Sequence, residues 1–189
     1  MKKLFFTFVV LLAVHTSLFA QTNTAPQKFV FHSINAVGLM NGSRGSSFSL
    51  QSIEGFSYRQ FFAGVGAGID FYKFRTVPLF VDLRYKPGHK KRNFFLYGDL
   101  GYSVPWLTDK EKTGLISAVN AKAAIYYDAG LGYSIPVQKD AFLLSIGYSY
   151  KEMKNRAKEY TCTTGSCGVA DQAYRYQMER IVLRAAWQF

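Results

Sequence analysis

The sequence lacks long apolar runs. The chain has 189 residues, and after residue 20 it contains no apolar stretch as long as the about 20 residues that a membrane helix needs. This excludes a helical membrane bundle. Histidine is scarce, with three residues in the chain, and there are two cysteines. Few side chains are therefore available for general acid–base catalysis or for binding soft metals, so catalytic and metal-binding functions are disfavoured.

Acidic residues are also few, 12 against 23 Lys and Arg, which gives a formal net charge of +11. Removal of the two lysines of a predicted leader lowers this charge to +9. An exported protein rarely meets nucleic acid, so we expect no nucleic-acid partner. We expect most of the cations to solvate loops, and the exposed ones to contact anionic headgroups of outer membrane lipid or lipopolysaccharide phosphates.

The amino-terminal residues have the order of a secretory signal peptide. Two lysines precede the apolar run Leu4 to Val14, and small residues follow up to Ala20. The run is too short for a transmembrane anchor, and Gln21 stands where a lipoprotein would carry cysteine. We predict a signal peptide over residues 1–20, a short N-terminal segment over 21–27 and one barrel domain over 28–189.

In the rest of the chain, apolar residues alternate with small or polar residues in eight segments separated by turn-forming residues. The clearest segment runs from Phe61 to Lys73, and the last one starts near Ala173. In the last segment Leu183 and Trp187 fall on one face, and Arg184 falls on the other. Outward aromatic residues at the segment ends predict two girdles at membrane interfaces. The pattern predicts an all-β fold, an eight-stranded antiparallel transmembrane β-barrel with apolar residues outside.

The first two segments, 28–40 and 46–58, are weaker. Glu54 shares a face with Phe48 and Phe56, and a carboxylate is unfavourable in lipid. We expect a bulge to change the register there, and the facing of both strands stays open.

The connections alternate in length. Those after Tyr58, Tyr85 and Ile135 are short, and those after Val104 and Tyr150 are long. This predicts short periplasmic turns and longer extracellular loops, the longest over Lys151–Gln172. Eight strands enclose an interior just wide enough for side chains, so we expect no open pore.

Small residues and a few charges occupy the inward positions. Charges inside a narrow lumen are tolerated when they are paired, so we predict a carboxylate–guanidinium network. Its members are Asp70, Asp82, Arg84, Asp99, Asp128 and Arg184.

The two cysteines, Cys162 and Cys167, lie in the longest predicted loop. In an oxidising compartment they are expected to form a disulfide. The loop contains no histidine, so we predict no metal site. The glycines of Gly64–Gly68 precede no helix that would present amides to a phosphate, so we predict no cofactor.

After the leader the histidines are His32 and His89, both expected on the periplasmic side. Neither reaches the outer leaflet, so we expect no catalytic residue and no enzyme activity. Two alternatives remain open. One is an outer-membrane barrel enzyme that modifies lipid, and the other is a secreted soluble β-barrel that binds a hydrophobic ligand and needs a polar exterior.

Four motifs carry a resemblance to a known family: Gly64–Tyr72, Val77–Tyr85, Asp128–Tyr133 and Trp187–Phe189. With them the chain resembles the small outer membrane β-barrel proteins of Gram-negative bacteria, the OmpA/OmpX-like and porin-like group. The resemblance implies a structural or surface-interaction role in the outer membrane. It also implies that Trp187 and Phe189 belong to an assembly signal, with the barrel-assembly machinery and periplasmic chaperones as transient partners. It specifies neither a ligand nor an oligomeric state.

Overall fold

In the computed structural model, the structure describes residues 29–87, 93–106, 122–163 and 166–189, and for residues 155–173 the backbone alone. The predicted signal peptide, the segment 21–27 and His89 lie outside the described residues. The chain forms eight strands: β1 Val30–Gly42, β2 Gly45–Tyr58, β3 Phe61–Asp70, β4 Thr76–Tyr85, β5 Phe94–Pro105, β6 Ala124–Val137, β7 Asp140–Thr163 and β8 Ser166–Gln188.

The strands close into one barrel in which each strand pairs with its neighbours in the chain. All pairs are antiparallel, and β1 closes the barrel against β8 from Ile34↔Gln188 to Gly42↔Arg180. The predicted eight-stranded antiparallel barrel is confirmed. Closure gives each strand of the wall two hydrogen-bonded neighbours, which removes the free edges of an open sheet. Within the described ranges, no helix is long and apolar enough to cross a membrane.

The two ends of the barrel differ. At one end, here called the turn side, tight connections such as Arg59–Gln60 and Gln138–Lys139 join the strands. At the other end, the loop side, β3 and β4 are joined by residues 71–75, and β7 and β8 extend well past the other strands.

Side chains alternate between the two faces of the wall as period two requires. Val65 and Leu83 are 65% and 59% exposed on the outside, whereas Phe62 and Phe95 are 6% and 2% exposed on the inside. The predicted facing of β3 to β6 and of the wall-forming part of β7 and β8 agrees with this pattern.

The expected bulge in β2 is wrong. Pairing of β1 with β2 runs without interruption from Val30↔Ser57 to Gly42↔Gly45. Glu54 therefore remains on the outer face, where the Ser33 hydroxyl donates a hydrogen bond to its Oε1 over 2.7 Å. The register holds because Ile34 and Ile53, the residues next to this pair, are both 1% exposed inside the barrel.

The expected loop over Lys151–Gln172 is also wrong, and β8 starts before Ala173. The last β7 residue that pairs with β6 is Lys151, yet β7 continues to Thr163 and pairs with β8 back to Ser166. A two-stranded ribbon thus stands beyond the wall on the loop side. This ribbon can consist largely of polar residues, because the backbone groups of its two arms form hydrogen bonds with each other.

Large aromatic side chains, in addition to the expected small residues, occupy the interior. Glycines make room for them: a Cβ at Gly66 would lie 2.5 Å from the ring of Phe80. One apolar cluster extends from the turn side through the middle of the barrel and contains Ile34, Ala36, Ile53, Phe62, Phe80, Phe95, Tyr97, Tyr126, Leu143 and Ala186. A second cluster on the loop side contains Met40, Tyr72, Phe74, Met153, Met178 and Val182.

Candidate functional site

Three carboxylates lie in one row inside the barrel. Asp82 on β4 pairs in register with Asp99 on β5, and Asp99 pairs with Asp128 on β6. Directly opposed residues of antiparallel strands point to the same face, so the three side chains project into the lumen at one level. All three residues are at most 4% exposed. We call them the carboxylate row.

Two guanidinium groups meet this row. Arg84 contacts Asp82 from the same strand, with Nε 3.0 Å from Oδ1 and Nη2 2.9 Å from Oδ2. Arg184 on β8 forms an ion pair with Asp128 on β6, past the intervening strand β7. The Tyr97 hydroxyl donates to Oδ1 of Asp128 over 2.9 Å and accepts from Nη1 of Arg184 over 3.0 Å. The Arg184–Asp128 pair thus has an additional hydrogen-bonding partner in Tyr97, of the kind that buried ion pairs need, whereas Nε of Arg184 has no partner among the described residues.

Asp99 differs from its two neighbours. Among the described residues, nothing donates a hydrogen bond to its Oδ1. A cavity of about 10 Å³ beside it, which Arg84 and Arg184 also line, has room for about one water molecule. The row holds three carboxyl groups against two guanidinium groups, so it is electrically balanced when one carboxyl group carries a proton.

A second charged cluster lies nearer the loop side. Asp70 forms ion pairs with Arg180 and with Lys151, whose Nζ is 3.0 Å from Oδ1. Nζ of Lys151 also donates to the backbone oxygen of Phe74 over 2.9 Å, and Nη2 of Arg180 donates to the Ser149 hydroxyl over 2.7 Å. One carboxylate here meets two cations, the reverse of the balance in the carboxylate row.

The structure thus places all six predicted lumen residues inside the barrel but separates Asp70 from the other five. Sequence reasoning missed Lys151 and Arg180. Lys151 was assigned to a loop, although it continues the inward parity of Ser149. Arg180 falls on the same inward face of β8 as Arg184. The neighbouring sequence does not indicate its partner, because Asp70 is 110 residues away in the chain.

Cations line both mouths of the barrel. A recess of about 270 Å³ on the turn side is lined by Arg59, Arg84 and Lys86 together with aromatic residues. Partial burial, and then the charge of Arg84, lower the pKa of Lys86. On the loop side Nζ of Lys73 lies 4.5 Å from the ring centre of Tyr176, and partial burial followed by the charge of Arg44 lowers the pKa of Lys73.

The last strand is anchored on both sides. Nε1 of Trp187 donates to Oδ2 of Asp140 over 3.2 Å. The backbone nitrogen of Phe189 donates to the Ser33 oxygen over 2.9 Å, and the Phe189 oxygen lies 2.9 Å from Nδ1 of His32. The two predicted assembly-signal residues therefore lie at the seam where β8 meets its neighbours.

Two other predictions concern chemistry. The backbone register opposes Cys162 and Cys167 near the tip of the ribbon, but their side chains lie outside the described part of the chain. The disulfide stays a prediction. Within the described residues, no group of three or more His, Cys, Asp or Glu side chains is arranged to hold a metal ion.

No family model matches the chain, and no curated protein matches it. Three solved structures are similar to it. The crystal structure of Neisserial surface protein A (NspA) is 15% identical, covering 85% of this chain and 95% of that one, with a TM-score of 0.46. The outer membrane protein AlkL, solved by solid-state NMR in DMPC bilayers, is 12% identical over 90% and 94% of the two chains, with a TM-score of 0.44. A de novo designed transmembrane β-barrel is 12% identical over 89% and 100%, with a TM-score of 0.41.

Proposed function

We propose that the chain is an outer membrane β-barrel protein of the Gram-negative cell envelope, with a structural or surface-interaction role and without an open pore. The observation that carries this proposal is the outer surface. Large apolar side chains are exposed around the wall where a soluble protein would bury them. They include Val37, Leu39, Leu50, Val65, Leu79, Val81, Leu83, Leu96, Leu100, Leu131, Leu144, Ile146, Ile181 and Leu183.

Aromatic rings border this apolar surface. Pairs of rings with centres 4.8 to 6.3 Å apart surround the turn side: Phe29–Tyr58, Phe31–Phe56, Phe61–Tyr85, Phe94–Tyr133 and Phe142–Trp187. On the loop side the pairs are Phe48–Phe71 and Tyr127–Tyr150. From Phe61 to Phe71, a rise of about 3.3 Å per residue at a tilt of about 40° gives a belt about 25 Å tall, which suits a bilayer.

The interior supports the absence of a pore. Both apolar clusters and both charged clusters project into the lumen, and an eight-stranded barrel has room for little more. Lys151 on β7 reaches across it to Asp70 on β3, and Arg184 on β8 fills it beside Asp128 on β6. We expect no ion conductance above background in planar bilayers.

The ribbon of β7 and β8 supports the surface-interaction role. Past the rim, its pairing in the described residues is between its own two arms, apart from one bridge from Lys154 to Lys122. Two-stranded ribbons with free backbone edges accept strands of other molecules. Cations near the ribbon base, such as Lys73 and Arg75, are suited to lipopolysaccharide phosphates. We also propose transient contact of the Trp187–Phe189 strand with the barrel-assembly machinery and periplasmic chaperones.

The alternatives have less support. A soluble barrel that binds a hydrophobic ligand needs a polar exterior, and the exposed wall is apolar. For a lipid-modifying enzyme, the described histidine is His32, whose ring lies near Phe189 on the turn side. We propose that the protein is not an enzyme.

Refolding into lipid vesicles tests the membrane location. Val65, 65% exposed on β3, lies well inside the apolar belt. Val65→Arg is expected to lower the free energy of unfolding in vesicles by about 2–4 kcal/mol, because the guanidinium group must enter hydrocarbon. Val65→Leu, the matched control, is expected to change it by less than about 1.5 kcal/mol. Equal stability of both variants, or a folded protein that stays in solution without detergent, contradicts the proposal.

A further inference from the structure

The recess on the turn side, here called the turn-side recess, is the mouth of the lumen at the end where tight connections join the strands. Its apolar lining includes Phe62, Phe95 and Leu143, which are at most 6% exposed. Alternation along β4 brings Arg84 and, just past the end of the strand, Lys86 to its side. Its volume of about 270 Å³ is slightly below the about 300 Å³ at which pockets for drug-sized ligands begin, so the recess suits a small molecule.

Arg84 is held in place at the recess. Its Nε and Nη2 donate to the Asp82 carboxylate over 3.0 and 2.9 Å. Its guanidinium carbon lies 5.7 Å from the ring centre of Phe62 and 5.5 Å from that of Phe95. Nη1 donates to no described residue. A guanidinium group that is already fixed keeps this amino group for a further acceptor, and little conformational freedom is lost when the acceptor binds.

Lys86 adds a second cation, and no described carboxylate forms an ion pair with it. Its backbone nitrogen donates to the Gln60 oxygen over 2.8 Å, which fixes the start of its side chain beside the recess. Partial burial, and then the charge of Arg84, lower the pKa of Lys86, so the two cations are close enough to repel each other. An anion bound between them removes this repulsion.

Acidic groups that could balance these cations are lacking at this mouth. Among the described residues that line the recess, none is Asp or Glu, and Asp82 is already paired with Arg84. The sequence from Arg84 to Arg92 contains five Lys or Arg residues and no acid. His32 also lines the recess, but its Nδ1 is already 2.9 Å from the Phe189 oxygen. The recess therefore has an excess of positive charge that a bound anion can neutralise.

We propose that the turn-side recess binds the phosphate group of a small phosphate ester. A phosphate group carries about −1.5 to −2 charges and three strong acceptor oxygens, so one group can accept from Arg84 and Lys86 together. The rings of Phe62 and Phe95 are placed to contact the organic part of the ester. The ester has two possible sources, a free molecule in solution and the headgroup of a phospholipid at the rim. This site lies at the opposite end of the barrel from the cations at the ribbon base.

Titration of the folded full chain in dodecyl maltoside, a detergent with neither charge nor phosphate, tests this site at physiological salt. Glycerol 3-phosphate is the probe for a free ester, and short-chain phosphatidylglycerol is the probe for a lipid headgroup. We expect saturable binding of at least one probe, seen by calorimetry and by chemical-shift changes at the Gln60 and Lys86 amides. The probe that saturates at the lower concentration identifies the source. No saturation with either probe, or saturation without shifts at these amides, overturns the proposal.

Two lysine variants separate a defined site from general attraction of anions. Lys86→Gln is expected to weaken binding by about 5- to 20-fold. Lys139→Gln removes the same charge from another connection at this end, outside the recess, and is expected to change the affinity by less than about twofold. Both variants should keep heat-modifiable mobility in gels, because neither lysine belongs to a strand. Equal weakening by the two variants overturns the proposal, and so does equal affinity for glycerate, which carries a carboxylate in place of the phosphate group.

Discussion

The β1–β2 wall and the β5–β6 wall lie on opposite sides of the barrel, and the polarity of their two faces is reversed. Four residues from the Phe29–Tyr58 ring pair, the outer face carries Ser33 opposite Glu54. Four residues from the Phe94–Tyr133 ring pair, it carries Gly98 opposite Ala129.

The inner faces are reversed as well. Next to Ser33 and Glu54, the inner face of the β1–β2 wall has the buried pair Ile34 and Ile53. Next to Gly98 and Ala129, the inner face of the β5–β6 wall has Asp99 and Asp128. Arg184 forms an ion pair with Asp128 inside the barrel. Ser33 donates a hydrogen bond to Glu54 on the outer face, where the neighbouring rings of Phe31 and Phe56 mark the turn-side border of the proposed membrane belt. A polar side chain is therefore tolerated where protein groups pair with it or where it lies near this border.

The largest effect is expected where a satisfied charge loses its partner. Arg184→Leu leaves Asp128 buried without its guanidinium group, and the free energy of unfolding in vesicles should fall by about 3–5 kcal/mol. Adding Asp128→Asn to this variant should restore a substantial part of the loss. If the double variant is as unstable as the single one, lost packing rather than unpaired charge is responsible.

A smaller effect is expected when the β5–β6 wall is given the outer residue of the β1–β2 wall. Ala129→Glu places a carboxylate in lipid without hydroxyl neighbours and should cost about 2 kcal/mol in unfolding experiments in vesicles. The reciprocal Glu54→Ala should cost about 1 kcal/mol, because it removes the hydrogen bond from Ser33. No loss with Ala129→Glu would show that this wall does not face hydrocarbon.

The smallest effect concerns the hydrogen bond between Ser33 and Glu54 on the outer face. Ser33→Ala removes the donor 2.7 Å from Glu54 and should cost about 1 kcal/mol. In a Glu54→Leu background the same substitution should cost almost nothing, because the acceptor is already gone. Identical losses in both backgrounds would show that the Ser33 hydroxyl does not support the carboxylate.

Period two in the sequence was sufficient to predict eight strands, their closure and the facing of most wall residues. It failed at Glu54, because a carboxylate on an apolar face suggests a change of register when one strand is considered alone. The donor that holds it outside, Ser33, lies on another strand. The ribbon was missed for a related reason: most of its residues do not alternate between apolar and polar, and each arm becomes a strand because the other is beside it.

The sequence predicts which types of residue face the lumen, but it does not predict which of them form ion pairs with each other. Strand alternation assigns Asp82, Asp99 and Asp128 to the inside of the barrel. Only the pairing register of the strands shows that the three form one row. Partners such as Lys151 and Asp70 are 81 residues apart in the chain. Their pairing depends on the stagger of every strand between them, which local sequence does not encode.

The seam between β1 and β8 has a consequence for biogenesis. Ile34 pairs with Gln188 of β8, which a ribosome delivers after the other seven strands. In the proposed membrane location, β1 without β8 has one edge whose amides and carbonyls no bilayer can solvate. We therefore expect partial insertion of the amino-terminal strands to be unfavourable and the whole wall to enter lipid as one cooperative unit.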